Sequence, residues 1–101
     1  MLTREDLKAR FDLDGRVAIV TGGSRGIGLA IARSLASCGA KVVIASRKAD
    51  AVDAAVESIR SAGGEAIGVA AHAGELADVE RIVDEAVAAY GGIDLVVNSP
   101  R

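Results

Sequence analysis

The sequence has 101 residues, of which 50% are hydrophobic and 26% charged, with a formal net charge of −2. This composition predicts one globular domain, and an acidic chain without a basic stripe argues against nucleic acid as a partner. No apolar run approaches the roughly 20 residues that span a bilayer. Cys38 and His72 are the only residues of their types, so no Cys/His cluster for a metal is readable. We therefore expect a cytoplasmic domain without a membrane segment.

The predicted elements begin with a short N-terminal helix, capped by Thr3 and packing Leu7 and Phe11 inward. Runs rich in Val, Ile and Ala then predict four strands, at 16–21, 41–45, 66–70 and 94–98. Apolar residues at helical spacing predict three helices, at 27–38, 52–59 and 76–90. Asp50 is expected to cap the second helix, while Gly39 follows the first. Strands that alternate with helices predict an α/β fold with a parallel sheet covered on both faces.

A glycine-rich turn joins the first strand to the first helix. Gly22 permits the tight exit from the strand, Gly26 lets the backbone approach a pyrophosphate, and Gly28 lets the helix pack closely. The free N–H groups of the first helical turn then favour bound phosphate. The alternative is a turn that only packs well. The spacing is G-x-x-x-G-x-G, which is neither the commonest dinucleotide fingerprint nor a P-loop.

Three stretches of the chain together resemble the short-chain dehydrogenase/reductase family. They are the lead-in 11–17, the signature Thr21-Gly22-x-x-x-Gly26-Ile27-Gly28, and the run 90–98, from Tyr90-Gly91-Gly92 to Asn98. The resemblance implies a partial doubly wound, Rossmann-like sheet of four strands in the order 3-2-1-4, with three crossover helices. It also implies dinucleotide contacts from the glycine turn, at Gly22, Ser24, Arg25, Gly26, Ile27 and Gly28.

The end of the second strand indicates which dinucleotide is bound. An acidic residue there favours NAD, whereas a basic one pairs with the 2′-phosphate of NADP. This strand ends in Ser46-Arg47-Lys48, and Arg25 lies in the glycine turn. Ser46 and Arg47 can both donate to a phosphate, so NADP is favoured over NAD. The alternative is that Arg47 and Lys48 are solvated loop charges.

Two further positions are candidate cofactor contacts. After the third strand, where the family usually has Asp, this chain has His72, which some peroxisomal-type carbonyl reductases of the family also carry. The resemblance therefore implies an adenine contact by His72, although an ordinary loop histidine is an equal alternative. Asn98 matches the family residue that ends the fourth strand beside the cofactor.

The catalytic residues that the resemblance implies, a Tyr with a Lys four positions later and a Ser, are not found. The only tyrosine is Tyr90, which is followed four positions later by Asp94. The pattern also departs at Ser99-Pro100-Arg101. We therefore expect residues 1–101 to be a truncated NADP-binding domain, with a lead-in at 1–13 and an off-pattern tail at 99–101, and to lack reductase activity.

The alternative function is a non-functional or partner-dependent interaction fragment. Truncation would leave 95–97 as an exposed strand edge with unpaired backbone groups, which is a template for self-association.

Overall fold

The computed structural model describes Thr3 and residues 12–99. The described strands are β1 (Val17–Thr21), β2 (Lys41–Ser46), β3 (Glu65–Ala70) and β4 (Leu95–Asn98). The described helices are α1 (Gly26–Ser37), α2 (Ala49–Ser61) and α3 (Leu76–Tyr90). The strands pair in parallel in the order β3-β2-β1-β4, which confirms the predicted fold. The predicted N-terminal helix lies outside the described residues, as do Pro100 and Arg101.

Strand β2 shows how the sequence builds a core on each face of the sheet. Successive side chains of a strand point to opposite faces, so Val42 and Ile44 share one face while Val43 and Ala45 share the other. The first pair packs in a core with α1 and α2, and the second pair packs with α3. All four side chains are at most 2% exposed. Burying a Val or Ile this completely stabilises the fold by roughly 1.5–3 kcal/mol, which explains why the apolar run 42–45 forms the centre of this strand.

The start of α2 departs from the sequence prediction. The expectation that Asp50 caps this helix is wrong, because α2 begins at Ala49 and its N-cap residue is Lys48, without a side-chain cap hydrogen bond. Asp50 instead lies in the first turn, where its carboxylate complements the positive end of the helix dipole. Gly39 follows α1 with a φ of +100°, as expected of a residue beyond a helix end.

Strand β4 is fastened to β1 at both ends. At its start, Asp94 accepts a hydrogen bond from the backbone N–H of Val17 (2.8 Å) and lies 3.7 Å from the guanidinium of Arg16. At its end, the hydroxyl of Thr21 donates to the side-chain oxygen of Asn98 (2.7 Å). The two hydrogen bonds join residues 77 positions apart in the chain. The bond between Thr21 and Asn98 holds the carboxyl ends of β1 and β4 side by side, where an open parallel sheet binds its ligands.

Candidate functional site

A cavity of about 410 Å³ lies at the carboxyl ends of β1 and β2. Its lining comes from the turn after β1, the first turn of α1, the end of β2, the start of α2 and the residue after β4. These residues are Gly22, Ser24, Arg25, Gly26, Ile27, Ser46, Arg47, Lys48, Ala51 and Ser99. Seven of the ten predicted site residues are thus brought together in one place.

The glycine turn forms one wall of the cavity. Gly22 has a φ of +70°, and a Cβ on it would collide with the carbonyl of Ser99. A Cβ on Gly28 would collide with the carbonyl of Gly22, so Gly28 fixes the close contact between α1 and the turn. A Cβ on Gly26, by contrast, would have no protein atom within 4 Å. The backbone is therefore bare where a phosphate would approach, and the residues present fit the diphosphate of a dinucleotide.

Hydroxyl groups and positive charges line the cavity from both the glycine turn and the end of β2. The Ser24 hydroxyl donates to the Ser46 hydroxyl across 3.1 Å, which ties the glycine turn to the end of β2. Arg25, Arg47 and Lys48 are exposed around this pair. None of the lining residues is Asp or Glu, and the first turn of α1 is also without an acidic residue. The cavity therefore presents donors and positive potential, which suit a phosphorylated ligand.

His72 and Asn98 are predicted site residues that do not line this cavity. The Nδ1 atom of His72 accepts a hydrogen bond from the N–H of Gly74 (2.8 Å), and the backbone N–H of His72 donates to Asp78 (2.7 Å). His72 thereby holds the turn between β3 and α3. The adenine contact stays a prediction for His72, as does the cofactor contact for Asn98.

Three cavity residues are missing from the sequence prediction: Lys48, Ala51 and Ser99. Lys48 and Ala51 belong to the start of α2, and the short connection after Arg47 is the signal that could have placed them here. Ser99 follows β4, and its N–H donates to the carbonyl of Thr21 (3.1 Å), so the backbone stays beside β1 for one residue beyond the strand. The signal in the sequence that could have indicated Ser99 is its position directly after a strand that lies next to β1.

Tyr90 does not line this cavity. It packs against the core under α3, with the ammonium of Lys41 5.7 Å from the centre of its ring. Burial raises the pKa of the Tyr90 phenol, and the nearby Glu65 carboxylate raises it further, while Arg60 lowers it. A proton donor for catalysis near neutral pH needs its pKa shifted the other way. Tyr90 is therefore a packing residue.

Within 12–99 and Thr3, no group of three or more His, Cys, Asp or Glu side chains is placed to hold a metal ion. No described helix is long and apolar enough to cross a membrane.

The sequence model of the short-chain dehydrogenases matches residues 16–100. The chain belongs to this family. Its members are oxidoreductases that use a nicotinamide dinucleotide, NAD or NADP. The chain is 48% identical over 90 residues to a probable tetrahydroxynaphthalene reductase of Zymoseptoria tritici, covering 86% of this chain and 33% of that protein. It is 44% identical over 98 residues to the human dehydrogenase/reductase SDR family member 4, covering 97% of this chain and 34% of the relative.

Solved structures show the same likeness in three dimensions. The chain superposes on a hydroxysteroid dehydrogenase from Escherichia coli with a TM-score of 0.85 and 35% identity, covering 87% of this chain and 37% of the other. The citronellol catabolism dehydrogenase of Pseudomonas aeruginosa gives a TM-score of 0.80 and 38% identity, with coverage of 84% and 36%. The chain thus spans about a third of the length of the relatives that it matches.

Proposed function

We propose that this chain binds NADP, with the adenosine end of the dinucleotide in the cavity between the glycine turn and the end of β2. The observation that carries this proposal is the lining of that cavity, which has three basic residues and three serines but no carboxylate. A carboxylate at the end of β2 would accept a hydrogen bond from the ribose 2′-hydroxyl of NAD and repel the 2′-phosphate of NADP. The residues present do the opposite, because each can donate to a phosphate.

Five of the lining residues have separate roles in the proposed binding of NADP. Ser46 and Arg47 hold the 2′-phosphate, Arg47 with the planar fork that matches phosphate oxygens. Ser24 keeps the Ser46 hydroxyl in position through their 3.1 Å hydrogen bond. Arg25 and Lys48 add positive charge, and the first turn of α1 offers its N–H groups to the diphosphate. This assignment covers the binding of the nucleotide only.

We infer from the family that the parent reaction is hydride transfer between NADP(H) and a carbonyl or alcohol substrate. The bound dinucleotide supplies the hydride chemistry, while residues 12–99 bind and orient its adenosine part. The phenol of Tyr90, which packs beside Lys41, does not supply the proton that such a reaction transfers. We therefore expect the purified 101-residue chain to turn over no carbonyl substrate, and measurable NADPH oxidation with such a substrate would overturn this expectation. We keep the cytoplasm as the predicted compartment.

The NADP proposal is tested with two arginine-to-alanine variants measured by isothermal titration calorimetry. Arg47→Ala removes a charge from the cavity, whereas Arg33→Ala removes an exposed charge from α1 outside it. A charge-assisted hydrogen bond contributes about 1.5–3 kcal/mol, so Arg47→Ala should weaken NADP binding by about 10- to 100-fold. NAD binding should change little in either variant, and Arg33→Ala should leave NADP binding as it is. Equal losses in both variants would overturn the assignment of Arg47.

A second candidate function, a partner-dependent interaction fragment, is favoured by one observation. Leu95 and Val96 of β4 are 44% and 60% exposed, and β4 pairs with β1 alone among the described strands. Exposed edges of this kind promote strand pairing with another chain. Binding to a nucleotide and binding to a protein are compatible here, since β4's outer edge and the cavity use different residues.

A further inference from the structure

The turn between β3 and α3 spans residues 71–75, at the carboxyl end of the sheet. Its first residue is tied to the cavity, because the N–H of Ala71 donates to the carbonyl of Ser46 (2.8 Å). The hydroxyl of the same serine lines the cavity and accepts a hydrogen bond from Ser24 (3.1 Å). Residues 71–75, which we call the β3–α3 turn, are therefore direct neighbours of the proposed 2′-phosphate site.

Two charged side chains of α3 hold the start of the β3–α3 turn. One carboxylate oxygen of Asp78 accepts a hydrogen bond from the backbone N–H of His72 (2.7 Å), and the other lies 3.7 Å from the guanidinium of Arg81. Arg81 in turn donates to the carbonyl of Ala70 at the end of β3. The bond to His72 has an ionised acceptor, and such hydrogen bonds are stronger than those between neutral groups. Asp78 thus fixes the backbone where the chain leaves β3.

Asp78 serves the turn and not the end of its own helix. It lies at the third position of α3, whose N-cap residue, Glu75, has no side-chain cap hydrogen bond. In a capping box the side chain at this third position accepts a bond from the N–H of the N-cap residue. Here that N–H donates to the carbonyl of His72 instead (3.0 Å), and Asp78 reaches back to the N–H of His72. With the bond from Gly74 to Nδ1, His72 is held at its N–H, its carbonyl and its ring.

The β3–α3 turn also leaves groups available to a ligand. His72 and Ala73 are exposed, and the N–H of Ala73 has no hydrogen-bond partner in the described part of the chain. The cavity residues of α1 and α2 lie on one face of the sheet, whereas the turn leads to α3 on the other face. In adenosine 2′-phosphate, the base is attached to the ribose carbon next to the one that carries the phosphate. A base that points toward α3 from a ribose held at Ser46 therefore meets this turn.

We propose that Asp78 is a positioning residue of the nucleotide site, which holds the β3–α3 turn against the adenine base of NADP. This inference rests on the proposed function, because it takes the 2′-phosphate to lie at Ser46. Asp78 touches no part of the ligand and acts through His72 and Ala73. A turn that is already ordered loses little conformational entropy when the base binds. Removal of the carboxylate should therefore weaken every ligand that shares the adenosine part.

The test compares three ligands by isothermal titration calorimetry: NADP, NAD and the NADP analogue that carries hypoxanthine in place of adenine. Hypoxanthine has a carbonyl at C6 and an N–H at N1, so a hydrogen bond made to either position of adenine is lost. The wild-type chain should bind the analogue about three- to tenfold more weakly than NADP, which corresponds to one hydrogen bond. We call the ratio of these two dissociation constants the base ratio.

Substitution of Asp78 should change the base ratio and leave the preference for NADP over NAD as it is. Asp78→Ala should weaken NADP and NAD binding by the same factor, about three- to tenfold, and should lower the base ratio to below about two. Asp78→Asn keeps an acceptor oxygen for the N–H of His72 and should restore part of the base ratio. It is also the second variant, in case Asp78→Ala fails to fold by circular dichroism. Asp84→Ala, which removes an exposed carboxylate from the same helix, is the matched control and should change none of the three affinities.

Each result has one meaning. A base ratio that falls in Asp78→Ala, with an unchanged ratio of NADP to NAD affinity, supports the proposal. Equal losses for NADP and the hypoxanthine analogue overturn it, since Asp78 would then stabilise only the fold. A loss for NADP without a loss for NAD also overturns it, because the turn would then act on the 2′-phosphate through Ser46. A wild-type chain that binds both dinucleotides with a base ratio of one contradicts this inference alone, whereas a chain that binds no dinucleotide contradicts the proposed function as well.

Discussion

Substitutions of Asp94 test which of its contacts with the start of β1 stabilises the pairing of β4 with β1. The Asp94 carboxylate makes two contacts with the start of β1: a 2.8 Å hydrogen bond from the N–H of Val17 and a 3.7 Å ion pair with Arg16. The side chains of the ion pair are 65% and 41% exposed. Exposed ion pairs contribute about 0–1 kcal/mol, whereas a hydrogen bond to a charged group contributes about 1.5–3 kcal/mol. The hydrogen bond should therefore dominate.

Three variants separate these two contributions by urea denaturation. Asp94→Ala should lower the free energy of unfolding by about 2–3 kcal/mol, because it removes both contacts and leaves the Val17 N–H without its side-chain partner. Asp94→Asn keeps an acceptor oxygen and should lose about half as much. Arg16→Ala removes only the ion pair and should cost less than about 0.5 kcal/mol. A loss in Arg16→Ala as large as that in Asp94→Ala would contradict the dominance of the hydrogen bond from Val17.

Two further predictions concern packing and ionisation. Gly28→Ala should lower the free energy of unfolding by about 1–3 kcal/mol in urea denaturation, because the new methyl collides with the carbonyl of Gly22. Gly92→Ala, where a Cβ has no atom within 4 Å, is the matched control, and an equal cost there would contradict the steric argument. Burial and Glu65 raise the pKa of Tyr90, so its ultraviolet titration should have a midpoint above 10.0. In the unfolded chain Tyr90 has its ordinary pKa, so it loses its proton at a lower pH than in the folded chain. The free energy of unfolding should therefore fall as the pH rises above 10.0. A titration midpoint below 10.0 would contradict the burial of Tyr90.

The sheet was predictable because its strands carry an unambiguous pattern. In β1 and β2 both faces are apolar, and only a strand covered by helices on each face accommodates such runs. The glycine turn was predictable for a related reason. Gly22 and Gly28 collide with backbone atoms if they gain a Cβ, so their spacing is dictated by the geometry of one turn.

Two kinds of feature could not be predicted from the sequence: contacts between residues far apart in the chain, and the choice between alternative local structures. Asp94 bonds to Val17 across 77 positions, and no local pattern in the sequence indicates that partner. Asp50 has the residue type of a helix cap, but α2 begins two residues earlier than that prediction implies, at Ala49 with Lys48 as its N-cap. The ring of His72 accepts the N–H of Gly74, a bond that depends on the conformation of the turn and that no local pattern indicates. These features depend on the tertiary structure, which the local propensities of the residues do not describe.

The most direct test of the proposed function is the ratio of the dissociation constants of NAD and NADP for the wild-type chain, measured by calorimetry. The two ligands differ only in the 2′-phosphate, so the ratio isolates the basic lining formed by Arg25, Arg47 and Lys48. We expect NADP to bind at least about tenfold more tightly, since one charge-assisted contact to phosphate is sufficient for that difference. Equal or tighter binding of NAD would contradict the account, and so would the absence of binding by either dinucleotide.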